Sequence, residues 1–109
     1  MKVQHYTDTP SAAVEEAPGV SVRWVISDKD GAPNFAMRVF DVAPGASTPY
    51  HQHPWEHEVY CLRGEATAKT EQGDVPVRAG DAILVEPDEL HNFVNTGEGP
   101  LEFLCLVPN

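Results

Sequence analysis

The sequence is poor in basic residues, and it contains no long apolar run. Only 7 Lys and Arg stand against 17 Asp and Glu, so the formal net charge is −10. A surface of this charge repels phosphate backbones and anionic lipid headgroups, which argues against nucleic acid and membranes as partners. No segment approaches the roughly 20 apolar residues that are needed to span a bilayer.

Cysteine is scarce as well, since Cys61 and Cys105 are the only two. Two cysteines are too few for a disulfide framework, so the pair forms either one bond or two free thiols. Residues 1–19 lack the apolar core of a secretion signal. We therefore expect a cytoplasmic protein with two buried free thiols.

Proline and glycine are abundant, with 10 and 8 residues in a chain of 109. That length fits one domain, and a hydrophobic content of 41% is typical of a globular protein. Residues 1–19 are polar and without periodicity, so they are predicted as an N-terminal arm. Residues 20–109 are predicted as the single folded domain.

Short β-like runs separated by turn residues fill this domain. The predicted strands are 20–26, 35–42, 59–62, 66–70, 75–78, 82–85, 91–94 and 101–107. No segment carries a helical apolar stripe longer than about ten residues. Many short strands without helices between them predict an all-β sandwich or barrel.

Four of the five histidines fall into two clusters. His51 and His53 are two residues apart, and such residues project to the same face of an extended segment. His57 is expected to return on the following strand, and His91 arrives from a separate strand. Neutral imidazole binds Mn, Fe, Ni, Cu and Zn, so the spacing predicts one divalent metal ion on these four residues. His5 is treated as incidental.

The same segments resemble the two motifs of the cupin superfamily. Residues 45–64 are similar to the first motif, G-x5-H-x-H-x3,4-E-x6-G. Residues 80–95 are similar to the second, G-x5-P-x-G-x2-H-x3-N, and the two follow in the usual order at the usual short separation. The resemblance implies a cupin double-stranded β-helix, which is a jelly-roll barrel, behind a short N-terminal arm.

The first motif departs from the family pattern at its glutamate, because His57 occupies that position. Glu58 lies one residue further and would fit only the longer variant of the motif. Adjacent residues of a strand face opposite sides, so the two cannot both point into the barrel without a bulge. We expect His57 to be the ligand.

The second motif departs at its turn. Pro87 lies one position late, and Asp88 stands where the family has glycine. The separation of Gly80 and His91 is unchanged, so His91 should stay in register. The shape of the turn is left open.

Three further strings, at residues 32–45, 53–64 and 101–108, closely resemble one subgroup of small four-histidine cupins from thermophilic and other bacteria. Members of that subgroup are homodimers with manganese bound. The resemblance covers residues 20–108 and implies manganese as the leading metal, ahead of iron and then of nickel, zinc or copper. It also implies a capacity for metal-assisted oxidation, but it supplies no substrate.

Four neutral imidazoles would leave a bound divalent ion with its full charge, which attracts anionic ligands. Two adjacent open positions would let a substrate and dioxygen bind side by side, as oxygenase chemistry requires. A structural zinc site would instead be closed and tetrahedral, typically with cysteine among its ligands. Neither cysteine has ligand spacing here, so the structural alternative is disfavoured.

The last predicted strand offers candidate pocket residues. Phe103 and Cys105 share one face, and they are expected to point inward because Glu102 then faces solvent. Arg38 is the one basic residue in position to meet an anionic substrate, although pairing with a surface carboxylate is an equal alternative. If the leucines at 104 and 106 point outward, they form an apolar edge of the kind that two-fold dimers bury.

Three classes of function fit these features. The favoured one is an oxidoreductase, a dioxygenase or peroxide-using oxygenase that acts on a small organic molecule at the metal. The second is a redox-neutral isomerase or lyase that uses the metal as a Lewis acid. The third is a non-catalytic protein that binds the metal or a small molecule.

Overall fold

Nine strands arranged in two sheets form the domain in a computed structural model that describes residues 1–109. The strands are Ala12–Ala13 (β1), Val20–Ile26 (β2), Phe35–Val42 (β3), His57–Arg63 (β4), Glu65–Thr70 (β5), Gly73–Arg78 (β6), Ala82–Val85 (β7), His91–Asn95 (β8) and Leu101–Pro108 (β9). Two 3-10 turns of three residues, Tyr6–Asp8 and Asp28–Asp30, are the only helical segments. None of the helical segments has the length and apolar character that a membrane-spanning helix requires.

The larger sheet has the strand order β1-β2-β3-β9-β4-β7, and the smaller sheet has the order β6-β5-β8. Every neighbouring pair is antiparallel. The strand that comes last in the chain therefore lies inside the larger sheet, between β3 and β4. This arrangement confirms the predicted all-β jelly-roll barrel.

Each of the eight predicted strands is present, with ends that move by no more than two residues. Strand β1 was not predicted, because two alanines show no alternation. They pair with Val22 and Ser21 of β2, and Ala17 is buried in the core at 3% exposure. Part of the predicted arm thus packs on the barrel, while the division at residue 19 stays a prediction.

The core consists of the inward-facing residues of both sheets. Along β9 buried and half-buried residues alternate, with Phe103 and Cys105 buried and Leu104 and Leu106 half-buried on the outer face. The ring of Phe103 stacks on Phe40 at a centroid distance of 5.1 Å. The two cysteines are buried and free.

The turn after β4 requires a residue without a side chain. Gly64 has a φ of 92°, and a Cβ at this position would lie 2.5 Å from the carbonyl oxygen of Pro100. The backbone opposite is fixed by the buried Asn95, whose Nδ2 donates to the carbonyls of Val42 (2.8 Å) and Gly99 (2.9 Å). Because the opposing backbone is held in this way, it cannot move aside for a methyl group.

We expect Gly64→Ala to lower the free energy of unfolding by more than about 2 kcal/mol, since it adds left-handed strain to a backbone clash. Urea denaturation measures the change. Gly99→Ala is the matched control, because a Cβ at Gly99 meets nothing within 4 Å. Equal effects of the two substitutions would contradict the assignment of the clash.

Candidate metal centre

Four imidazole rings meet between the two sheets. We call them the histidine cluster: His51, His53, His57 and His91. The ring centroids of the neighbouring pairs lie 4.1–5.6 Å apart. Ligand atoms of His51, His53 and His91 lie within 4.8 Å of one another, a spacing that could hold a metal ion. The Nε2 atom of His57 is in direct contact with Nε2 of His53.

Two strands and one loop position these rings. His57 is the first residue of β4 and points inward, whereas its neighbour Glu58 is exposed. His91 is the first residue of β8, and it exchanges backbone hydrogen bonds with His51 (3.0 and 3.2 Å) as an isolated bridge. The extended segment predicted around His51 and His53 is thus reduced to one bridge, and His53 lies in an irregular loop.

A tight turn before β8 holds the loop in place. Pro87 and Asp88 are its central residues, and the N–H of Glu89 donates to the carbonyl of Glu86 at 3.2 Å. Asp88 has a φ of 64°, which with proline before it defines a type II turn. Asp88 therefore adopts the left-handed conformation for which the family pattern has glycine. Its N–H donates to the carbonyl of His53 at 2.7 Å.

Backbone carbonyls set the tautomers of two rings. Nδ1 of His53 lies 2.8 Å from the carbonyl oxygen of Trp55, and Nδ1 of His91 lies 2.7 Å from that of Glu89. A carbonyl only accepts, so each Nδ1 must carry the single proton of a neutral imidazole. Both Nε2 atoms then present lone pairs to the cluster. Converging lone pairs are the donor set of a divalent metal ion, so the residues present fit one.

Burial keeps the rings in the neutral form that binds metal. Desolvation by burial is the largest of the causes that lower the pKa of His57 to about 3. Burial also lowers the pKa of His91 and of His51 below the usual histidine value. Protons therefore do not compete with a metal for these three rings at neutral pH.

The far edge of His57 contacts two residues of the larger sheet. Its Nδ1 lies 3.1 Å from Sγ of Cys105 and 3.2 Å from Nη2 of Arg38, and that Nη2 lies 3.0 Å from the same sulfur. Burial raises the pKa of the Cys105 thiol. The Arg38 guanidinium lies over the rings of Trp24 (5.1 Å) and Phe40 (4.9 Å).

A cavity of about 70 Å³ adjoins the cluster. Its lining comprises Arg38, Phe40, Thr48, Pro49, His51, His57, Val59, His91, Phe93, Phe103 and Cys105. The three predicted pocket residues, Arg38, Phe103 and Cys105, are all among them, and their roles toward a substrate stay predictions. Phe40 was missed, although its spacing of two from Arg38 in one strand places both on the same face. No carboxylate lines the cavity.

The chain matches a known family model and known structures over most of its length. The model described as "Cupin domain" matches residues 38–107. The solved structure of the polyketide cyclase RemF from Streptomyces resistomycificus is 37% identical, with a TM-score of 0.93. That match covers 99% of this chain and 79% of the cyclase chain.

Two curated relatives match in part. An oxalate-binding protein of Thermotoga maritima is 40% identical over 65 residues, which are 59% of this chain and 54% of the relative. A 3-hydroxyanthranilate 3,4-dioxygenase of Ruegeria pomeroyi is 36% identical over 62 residues, which are 53% of this chain and 34% of the relative. The matches thus span about half and about a third of the two relatives' lengths.

We expect His57→Ala and His91→Ala to weaken metal binding by at least about 100-fold, because replacing even an outer-shell partner of a ligand typically costs 10–100-fold. Metal content after extensive dialysis, together with competition against a chelator, measures the loss. His5→Ala removes a histidine outside the cluster and should change nothing. Undiminished metal content in both cluster variants would refute the predicted ligand set.

Proposed function

Because the chain belongs to the cupin family, we propose that its histidine cluster holds one divalent metal ion and that this centre oxidises a small organic molecule. The proposed class is a dioxygenase or a peroxide-using oxygenase. Manganese is the proposed ion, followed by iron. The observation that carries the proposal is the composition of the site, which combines neutral imidazoles with a cavity wall free of carboxylates.

The ionisable side chains of the cavity decide between classes of chemistry. Beyond the imidazoles they are Arg38 and Cys105. Isomerases and lyases of the Lewis-acid type need a positioned general base. The imidazoles are committed to the metal in this proposal, and a guanidinium cannot act as a base. Burial raises the pKa of the Cys105 thiol, which disfavours the thiolate that a base would need. This distribution favours a reaction in which the oxidant, rather than a side chain, drives the chemistry.

The chain's own residues would prepare the site in three ways. When bound, a redox-active divalent ion supplies Lewis acidity and electron exchange with dioxygen or peroxide. The four imidazoles would hold it. Phe40, Phe93 and Phe103 would give the substrate an apolar wall of the cavity to pack against. Cys105 offers its sulfur to Nδ1 of His57 and so fixes the orientation of that ring.

The relatives support two candidate activities. The similarity to a 3-hydroxyanthranilate 3,4-dioxygenase supports oxidation. The similarity to a polyketide cyclase extends over 99% of this chain, and it favours a redox-neutral cyclisation as the second candidate. Both activities use oxygen-bearing organic substrates, so the two candidates differ in whether an oxidant is consumed.

We expect protein loaded with manganese or iron to convert at least one member of a panel of diketones, flavonols and styrenes. The rate with dioxygen or peroxide should exceed that of free metal at least tenfold, and it should disappear in His57→Ala. Loading with redox-inert zinc should abolish the reaction as well.

Two outcomes would count against oxidation. Turnover of a polyketone by zinc-loaded protein without any oxidant would establish the cyclase alternative. No turnover above free metal under any of these conditions would remove the proposed oxidoreductase.

We also propose that the outer face of the larger sheet pairs with a second copy of the chain. Register places Tyr60 beside Leu104 and Met37 beside Leu106 on neighbouring strands. Tyr60 is 46% exposed, and Leu84 on the adjacent edge strand is 57% exposed. Glu58 lies on the same face between Leu84 and Leu106, so the face is apolar around one carboxylate. A face of this kind can pair with itself across a two-fold axis, which gives a closed dimer.

Light scattering should give twice the chain mass of 11.9 kDa for the wild type. Leu84→Glu places a charge within this face and should shift the protein toward monomer. Val75→Glu is the matched control, because Val75 is 54% exposed but lies in the smaller sheet. A wild type that is monomeric at micromolar concentration would disprove the dimer.

A further inference from the structure

Arg38 carries a positive charge that no carboxylate of the chain neutralises. None of the ion pairs in the structure includes it, although the chain has 17 Asp and Glu. Its Nη2 contacts two neutral groups, Nδ1 of His57 and Sγ of Cys105. Its Nε is buried and has no hydrogen-bond partner at all. A half-buried guanidinium with unfilled donors normally finds an anion.

Stacking, rather than ion pairing, holds the guanidinium in place. The rings of Trp24 and Phe40 lie 5.1 and 4.9 Å from its central carbon. Register makes Trp24 and Cys105 the direct cross-strand partners of Arg38. The planar group is therefore fixed at the cavity wall before any ligand arrives, and its five N–H donors match a carboxylate in geometry.

Metal binding would free one more donor of this group. If His57 binds metal through Nε2, its proton must reside on Nδ1. Nδ1 then cannot accept a hydrogen bond from Arg38, and the sulfur of Cys105 is left as the shared acceptor for both groups. In the loaded site the guanidinium has even fewer partners within the chain.

We propose that Arg38 binds a carboxylate of the substrate, so that the substrate class is a small organic acid with further oxygen atoms for the metal. This inference rests on the proposed function, because it needs the metal at the histidine cluster. A cavity of about 70 Å³ holds a few water-sized groups. The acid is therefore short, or only the carboxylate-bearing end of a longer acid enters the cavity.

Malate and 2-hydroxybutanoate are matched probes for this carboxylate. Both have four carbons and the same hydroxy-acid end for the metal, but malate ends in a second carboxylate where the other acid has a methyl group. Calorimetric titration of zinc-loaded protein measures binding without any redox step. We expect malate to bind at least tenfold more tightly than 2-hydroxybutanoate.

Substitution of Arg38 should remove this preference. In Arg38→Met the affinity for malate should fall at least tenfold, to that of 2-hydroxybutanoate, which itself should change little. Arg38→Lys keeps the charge without the planar fork and should retain part of the preference. Arg63→Met is the control for net charge, because Arg63 is a surface residue paired with Glu102, and it should leave the ratio unchanged.

The outcomes separate this inference from the proposed oxidation. Equal affinities of the wild type for the two acids, or an equal loss of both in the Arg38 variants, would overturn the role of Arg38. Selective binding of malate in a protein that oxidises nothing would support the inference while the proposed oxidation fails. A wild type that retains no zinc would remove the metal site and the inference together.

Discussion

The site depends on two hydrogen bonds from imidazole to backbone, those of His53 to Trp55 and of His91 to Glu89. Each fixes the proton on Nδ1 and turns a lone pair toward the neighbouring rings. Aligned lone pairs repel one another, so the arrangement is held by the loop and by the turn at Asp88 rather than by attraction between the rings. The type II turn is in this sense part of the candidate metal centre, although it offers no ligand of its own.

Around this centre the chain separates its charges. The surface is strongly acidic, with a net charge of −10, while the cavity presents neutral imidazoles and one unpaired guanidinium. The acidic exterior attracts cations over long distances, which suits the capture of a metal ion. In the proposed function the single guanidinium acts at short range, where low dielectric strengthens its attraction for an anionic ligand that has entered the cavity.

Much of the fold and of the histidine cluster could be predicted from the sequence, because the patterns that position His57 and His91 are local. Alternation allows only one of His57 and Glu58 to face inward, and the motif position of His57 identifies it as that one. The unchanged spacing before His91 keeps that ring in register. The surroundings of Arg38 could not be predicted in the same way. Its contacts with Trp24 and Cys105 depend on the register of β3 with β2 and with β9, which is far away in the chain, and local pattern carries no information about such pairing.

The position of β9 inside the larger sheet has a consequence for the order of folding. Arg38 and Cys105 touch across 67 positions of the chain, and β9 must insert between β3 and β4 to complete the cavity wall. Contacts between residues so far apart in the chain form late in folding. The entropic cost of closing the long loop comes before the contact can stabilise the fold. The part of the cavity wall behind His57 is therefore completed last, whereas the four histidines lie on segments that precede β9 in the chain.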